Sequence, residues 1–328
     1  MLNNNLNKKI FDEDVEQVPI RQGFGEGLVW AGREDEKVVA LVADLTESAK
    51  VDAFKKEFPE RFFEIGISEQ NMASVASGMA HMGKIPFIAS YAMFSPGRNW
   101  EQIRTTIAYN NVPVKIAGSH AGVSVGPDGG THQAIEDIAL TRVIPKMVVI
   151  SPCDAIQAKK ATLACSKTSN PTYIRLAREK TPIITTEDTP FEIGKAYTYW
   201  TAKDDKPQVG IIATGALVHK ALKVADTLSK EGIEVEVLNI VTIKPLDTMA
   251  VIALAKKTGK LVTVEEHQTA GGLGSLVAET TAKEFPVPIE FIGVHDLFGQ
   301  SGTPAELIEH YGMGEKDIKK AVMSLISK

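Results

Sequence analysis

Glu69 is the carboxylate best placed in this sequence to do chemistry. It follows Gly66-Ile-Ser and opens a segment whose apolar residues are mostly small: Met72, Ala73, Val75, Ala76, Gly78, Met79 and Ala80. Ser68 reads as the N-cap of that helix, and the plainest role for Glu69 is an acid complementing the positive end of the helix dipole. The smooth helix behind it also predicts a buried site, where a carboxyl group can share a proton with a heterocyclic nitrogen. A second candidate is the glycine-rich run Gly118–Gln133, which carries His120, Asp128 and His132. Two imidazoles and one carboxylate suit acid–base chemistry, a polyhydroxy substrate or a metal. The spacing matches no helical His pair, so the metal is the weakest of these. If the run is only a turn, Thr131 or Asp128 caps the helix that follows.

Other features say less. Tyr91 and Phe94 lie three apart beyond a strand end, a spacing that suits core packing or stacking on a flat ring. Arg175 and Arg178 offer guanidinium forks to a phosphate, or simply face water. Gly271-Gly-Leu-Gly274 lacks a full dinucleotide fingerprint and reads as a tight turn. His81, His219, His267, His295 and His310 belong to no local motif.

These residues need strand ends to bring them together. Nearly continuous apolar runs, such as Val38-Val39-Ala40-Leu41-Val42-Ala43, predict strands covered on both faces. Such strands fall over 37–44, 62–66, 85–90, 112–118, 147–151 and 171–177. Helical patterns lie between them over 22–32, 68–82, 99–109, 132–144 and 154–167. The Thr-, Pro- and acid-rich stretch before Pro190 predicts a linker. A second series follows, with strands at 209–214, 234–240, 260–266 and 288–294, and helices at 216–230, 247–257, 274–285, 304–311 and 315–327. The expected fold is α/β with two doubly wound domains, 16–182 and 193–328, joined by a linker at 183–192. Ligands of such sheets bind beyond the carboxyl ends of the strands, where Asp44–Ser48, Gly66–Gln70 and His120 all fall.

Composition removes whole classes. The chain has 328 residues, 44% of them hydrophobic, which is enough for two cored domains. Acidic residues outnumber basic ones 41 to 36, so no electrostatic footprint for nucleic acid exists. No apolar run reaches the roughly 18–20 residues of a membrane span. The asparagine-rich start, residues 1–15, lacks a signal-peptide core and reads as a flexible arm. Cys153 and Cys165 match no zinc or redox spacing, and a reduced, cytoplasmic chain is the expectation.

Taken together, Arg61-Phe-Phe-Glu-Ile-Gly-Ile-Ser-Glu-Gln-Asn-Met72 and the loop ending Asp128-Gly-Gly-Thr-His-Gln133 resemble two signature segments of the transketolase family. Asp44-Leu-Thr, Phe298-Gly-Gln-Ser-Gly302 and the order of elements agree, from about Arg21 to the C-terminus. The resemblance covers two of the family's three domains: the pyrimidine-binding domain of thiamine-diphosphate enzymes and the transketolase C-terminal domain. The missing diphosphate-binding domain carries a Gly-Asp-Gly motif, and none occurs here.

The resemblance therefore implies the second chain of a split transketolase, moving a two-carbon ketol unit from a ketose phosphate to an aldose phosphate. Thiamine diphosphate is the implied cofactor. Mg2+ is held mainly by an N-terminal partner subunit, and the implied assembly is a heterotetramer. Glu69 matches the glutamate that shares a proton with the cofactor's aminopyrimidine ring. Tyr91, Phe94 and Ile88 match the pocket around that ring, Ile88 replacing an aromatic residue. Asp128 and His132 match residues that bind substrate hydroxyls near the reacting carbons, His132 with a catalytic role. Arg21, Ser48, His120 and Arg178 match those that bind the terminal phosphate. Pro127 departs from the family, which commonly has an acidic residue there. Rival readings are a deoxyxylulose-phosphate-synthase-like subunit, a 2-oxo-acid dehydrogenase β-type subunit, and a non-catalytic stabilising subunit.

Overall fold

Strand Val38–Val42 is buried along its whole length, and its side chains divide by alternation between two cores. Val38, Ala40 and Val42 join Phe24, Phe54 and Phe87 on one face, while Val39 and Leu41 join Met72, Ile88 and Ile116 on the other. The computed structural model describes residues 1–327 and shows this strand inside a seven-stranded sheet. Its spatial order is Thr242–Lys244, Val148–Ile150, Thr172–Arg175, Lys115–Ser119, Ile85–Tyr91, Val38–Val42 and Phe62–Glu64. All pairings are parallel except that of the first strand. Helices Ile20–Glu34 and Ala155–Ser166 cover one face, pressed so close that a Cβ on Gly23 would strike the Ala155 carbonyl. Helix Glu69–His81 covers the other.

The second sheet has five strands, ordered Ile289–Val294, Leu261–Gln268, Val209–Ala213, Val235–Asn239 and Tyr197–Trp200, with only the last antiparallel. Helices Val218–Lys230 and Glu315–Ile326 pack on one face. Thr248–Thr258 and Leu273–Glu284 pack on the other, in the apolar cluster that also holds Leu41 and Ile116 of the first domain. The two domains therefore share a core. They also share a sheet: Thr242–Lys244 leaves the second domain to pair with Val148–Ile150 of the first.

The strands expected from apolar runs are present, as are the long helices. Four short strands were not expected: Gln17–Pro19, which pairs with Lys180–Pro182, Tyr197–Trp200, and Thr242–Lys244. Each has three or four residues and exists only through a distant partner, so it leaves no periodic trace. The helix expected over 132–144 is confined to Asp137–Arg142, because residues 129–136 are tied to a neighbouring loop and to the second domain. Over 99–109 the regular helix is only Trp100–Gln102, continued by a π-turn through Ile103–Ala108.

Residues 1–15 are not the flexible arm expected from their asparagines. Leu6 and Ile10 are 2% and 0% exposed in the second domain's core, and Leu2 and Leu6 form bridges to Trp200 and Thr185. The linker stretch is likewise pinned. Asp154 caps its own helix through Gln157 N at 2.8 Å and also accepts bonds from Ile184 N and the Thr185 backbone and hydroxyl. If the arm is structural, Ile10→Ala should lower the unfolding free energy by about 2–4 kcal/mol in denaturant titration. A mobile arm would make that substitution neutral.

Candidate functional site

Glu64, at the end of strand Phe62–Glu64, organises the approach to Glu69. One of its oxygens accepts from Asp44 N at 2.8 Å and Gly66 N at 3.0 Å, joining two strand-end loops. The chain then turns so that Glu69 begins its helix with 1% of its surface exposed. Ser68 stands at the N-cap but makes no side-chain cap bond, so the capping expected of it is not made. The carboxylate of Glu69 instead meets Arg98 Nη1 at 2.6 Å and the Ser90 hydroxyl at 3.4 Å. Asn99 Nδ2 donates to the Glu69 carbonyl at 3.1 Å.

An aromatic wall stands beside this ion pair. The Arg98 guanidinium lies 4.7 Å above the Phe94 ring. Phe94 stacks with Tyr91 at 6.1 Å and meets the His132 ring edge-on at 5.4 Å, while Tyr91 stacks on His120 at 3.7 Å. Glu69, Tyr91, Phe94, His120 and His132 thus line one crevice at the carboxyl edge of the first sheet.

His120 sits at positive φ (56°), a strained position for a side chain with a Cβ. Its Nε2 faces Arg21 Nη1 at 3.3 Å and its Nδ1 faces the Ser119 hydroxyl at 2.8 Å. A guanidinium can only donate, so Nε2 accepts and the ring proton belongs on Nδ1. Burial, with Arg21, Arg178 and His132 nearby, pushes the imidazole down to about 3. Arg21 also donates to the carbonyls of Ser48 at 2.6 Å and Arg178 at 3.2 Å. Burial and the Arg178 charge hold Arg21 below its usual range. Arg178 in turn donates to the Val125 carbonyl at 3.0 Å and pairs with Glu179 at 2.7 Å.

Three further sequence candidates stand outside these ring and ion-pair contacts. Ile88 is fully buried in the core cluster with Leu41 and Met72, on the strand face that helix Glu69–His81 covers and two positions before Ser90. Asp128 is exposed at the end of a 3-10 turn and has no hydrogen-bond or ionic partner among the described residues. Arg175, read as a phosphate clamp or a surface residue, is neither: it is buried against Asp137 at 2.8 Å. The helix after Gly271–Gly274 holds no anion site, because Glu265 already accepts from Leu273 N and Gly274 N at 2.7 Å each. Sequence reasoning missed Arg98 and Asn99. Their only local signal is a polar pair after a Ser-Pro-Gly turn.

Residues 16–183 match the family described as the transketolase pyrimidine-binding domain, and residues 198–318 match the transketolase C-terminal domain. A protein of Methanocaldococcus jannaschii, provisionally described as a transketolase C-terminal section, is 42% identical over 94% of this chain and 96% of its own. A 6-deoxy-6-sulfo-D-fructose transketolase subunit of a Clostridium species is 38% identical over 95% of each chain. Human transketolase is 36% identical over 95% of this chain but only 50% of its own. A solved structure titled as a split-gene transketolase, inactive β4 tetramer, superposes with a TM-score of 0.87 at 42% identity, covering 94% of this chain and 99% of that one. The fold and these matches define a family of thiamine-diphosphate-type transferases. The chain belongs to the transketolase family, of which it carries the pyrimidine-binding and C-terminal domains.

The state of His120 gives a direct check. Its imidazole signals, followed by NMR, should stay at neutral-form positions from pH 8 to pH 5. Because the folded value lies below the unfolded one, the unfolded chain takes up the proton first, and the stability His120 contributes is lost as pH falls below about 6.5. A midpoint near 6.5 in the folded chain would refute the assignment.

Proposed function

We propose that this chain is the C-terminal subunit of a two-chain, thiamine-diphosphate-dependent transketolase that transfers a ketol unit between sugar phosphates. The observation that carries the proposal is the buried Glu69 carboxylate, standing in one crevice with the Tyr91–Phe94 wall and the His120/His132 loop. The residues fit the pyrimidine end of the cofactor: a carboxylate out of water to meet a ring nitrogen, and flat apolar side chains to pack the ring. When bound, thiamine diphosphate supplies carbanion stabilisation. Glu69 presents its carboxylate to a ring nitrogen and exchanges a proton across that contact, while Arg98 and Ser90 orient the group. Tyr91 and Phe94 exclude water, and the hydroxyl-binding roles fall to His132 and the rim residue Asp128.

Arg21 and Arg178, with neutral His120 and Ser48, supply the anion site for the substrate's terminal phosphate. Guanidiniums suit it because each donates charge-assisted bonds to a phosphate, which would compete with Glu179 for Arg178. The diphosphate and Mg2+ belong to an N-terminal subunit, in a heterotetramer. The match to about half of human transketolase supports that division. So does the likeness to a split-gene subunit whose tetramer carries the word inactive in its title.

The test is ketol transfer from xylulose 5-phosphate to ribose 5-phosphate, with thiamine diphosphate and Mg2+, by the chain alone and with a companion bearing Gly-Asp-Gly. Activity should need both chains; full activity of this chain alone would overturn the two-subunit reading. In the active complex, Glu69→Gln should lower turnover by about 10²–10⁴-fold with the circular dichroism unchanged. Near-normal turnover would remove the proton-holding role. Arg178→Ala should raise KM about 10- to 100-fold for phosphorylated sugars and far less for unphosphorylated ones. Equal losses for both would dismiss the phosphate site.

A further inference from the structure

The loop that carries Asp128 and His132 makes little structure of its own. From Gly122 to Gln133 its internal ties are a short 3-10 turn and backbone bonds such as Gly129 N to Gly126 O (3.1 Å) and His132 N to Gly129 O (3.0 Å). The first domain adds Arg178, which donates to Val125 O at 3.0 Å, and the Phe94 ring against His132; further fixtures come from the second domain. At the front, Glu266 is 3% exposed, accepts from Ser124 N at 2.6 Å, and leaves room only for glycine at Gly122, whose φ is +89°. At the back stands Gln133, 2% exposed. Its Nε2 donates to Val123 O of the same loop at 3.0 Å and to Gln300 O of the second domain at 2.9 Å.

The facing segment is shaped to receive this side chain. A Cβ on Gly299 would collide with the Gln133 amide oxygen. Opposite, Cβ atoms on Gly130 and Gly129 would run into Gly299 O at 2.5 Å and Ser301 Oγ at 2.7 Å. Two glycine-bearing backbones therefore lie against each other with the Gln133 amide between them. Tyr311 holds the facing segment from behind, its hydroxyl donating to Phe298 O at 2.8 Å. The Gln133 oxygen is buried without a partner among the described residues, so the side chain is held through its two donated bonds.

We infer that Gln133 is a positioning residue for the transfer reaction: clamped between Val123 O and Gln300 O, it sets the places of Asp128 and His132. Through it the C-terminal domain takes part in sugar recognition without touching the sugar. The inference rests on the hydroxyl-binding role proposed above for Asp128 and His132. A displacement of these groups by about 1 Å is enough to cost a large factor in rate.

The test uses three variants of the full chain. Gln133→Ala removes both bonds, Gln133→Glu keeps the shape but replaces the amide donors with an acceptor, and Gly299→Ala displaces the side chain from outside the loop. In hydrogen exchange on the chain alone, amides of residues 122–133 should exchange about tenfold faster in all three, with strand Val209–Ala213 unchanged. In the active two-chain complex, KM for the ketose phosphate should rise more than kcat falls. A role in filling space alone would let Gln133→Glu behave like the parent, and that result overturns the clamp. Unchanged loop exchange in both Gln133→Ala and Gly299→Ala also overturns it. Faster loop exchange with no ketol transfer by the parent complex would sustain the clamp and strike the functional reading instead.

Discussion

One buried guanidinium, neutralised within its own domain, ties the two domains together. Arg175, at the end of a first-domain strand, donates to Asp137 at 2.8 Å and to the second domain's Glu266 carbonyl at 2.7 Å. Tyr173 adds a bond to the same Asp137 oxygen at 2.7 Å. Taking such charges from water is costly unless they are paired and hydrogen-bonded, and removing either partner would leave the other uncompensated. The arrangement therefore permits few alternative dockings. His267 beside it is buried and pushed down to about 4, which keeps further positive charge out of the joint.

The site inherits its geometry from that joint. Glu266 takes part twice, its carbonyl binding Arg175 and its carboxylate holding Ser124 N. The loop Gly122–Gln133 is thus fastened to the same point as the domains. On the other side of the crevice Glu69, Arg98 and Phe94 are set by the first domain alone, through a helix start and a strand end. One half of the crevice is built by secondary structure, and the other half by contacts between domains.

That division explains what was legible beforehand. Strands such as Val38–Val42 are continuous apolar runs, and the helix after Glu69 is marked by small residues, so fold class and the Glu69 position could be read locally. Gly118–Gln133 drew notice through its composition, and family resemblance supplied its expected roles. Arg98 was invisible because nothing in Ser-Pro-Gly-Arg tells of a carboxylate 29 positions away.

By itself the sequence determined the alternation of strands and helices, the two-domain plan, the absence of a basic surface, and the residues able to carry charge and protons. Periodicity and composition are local, and they carry that much. Only the tertiary structure decided that the asparagine-rich start is packed, that Arg175 is a buried tie while Arg178 bonds the Val125 carbonyl, and that Glu265 fills the helix end behind Gly271–Gly274. Each of these depends on which distant group satisfies a buried charge or backbone amide. That partner is fixed when the sheets close upon each other.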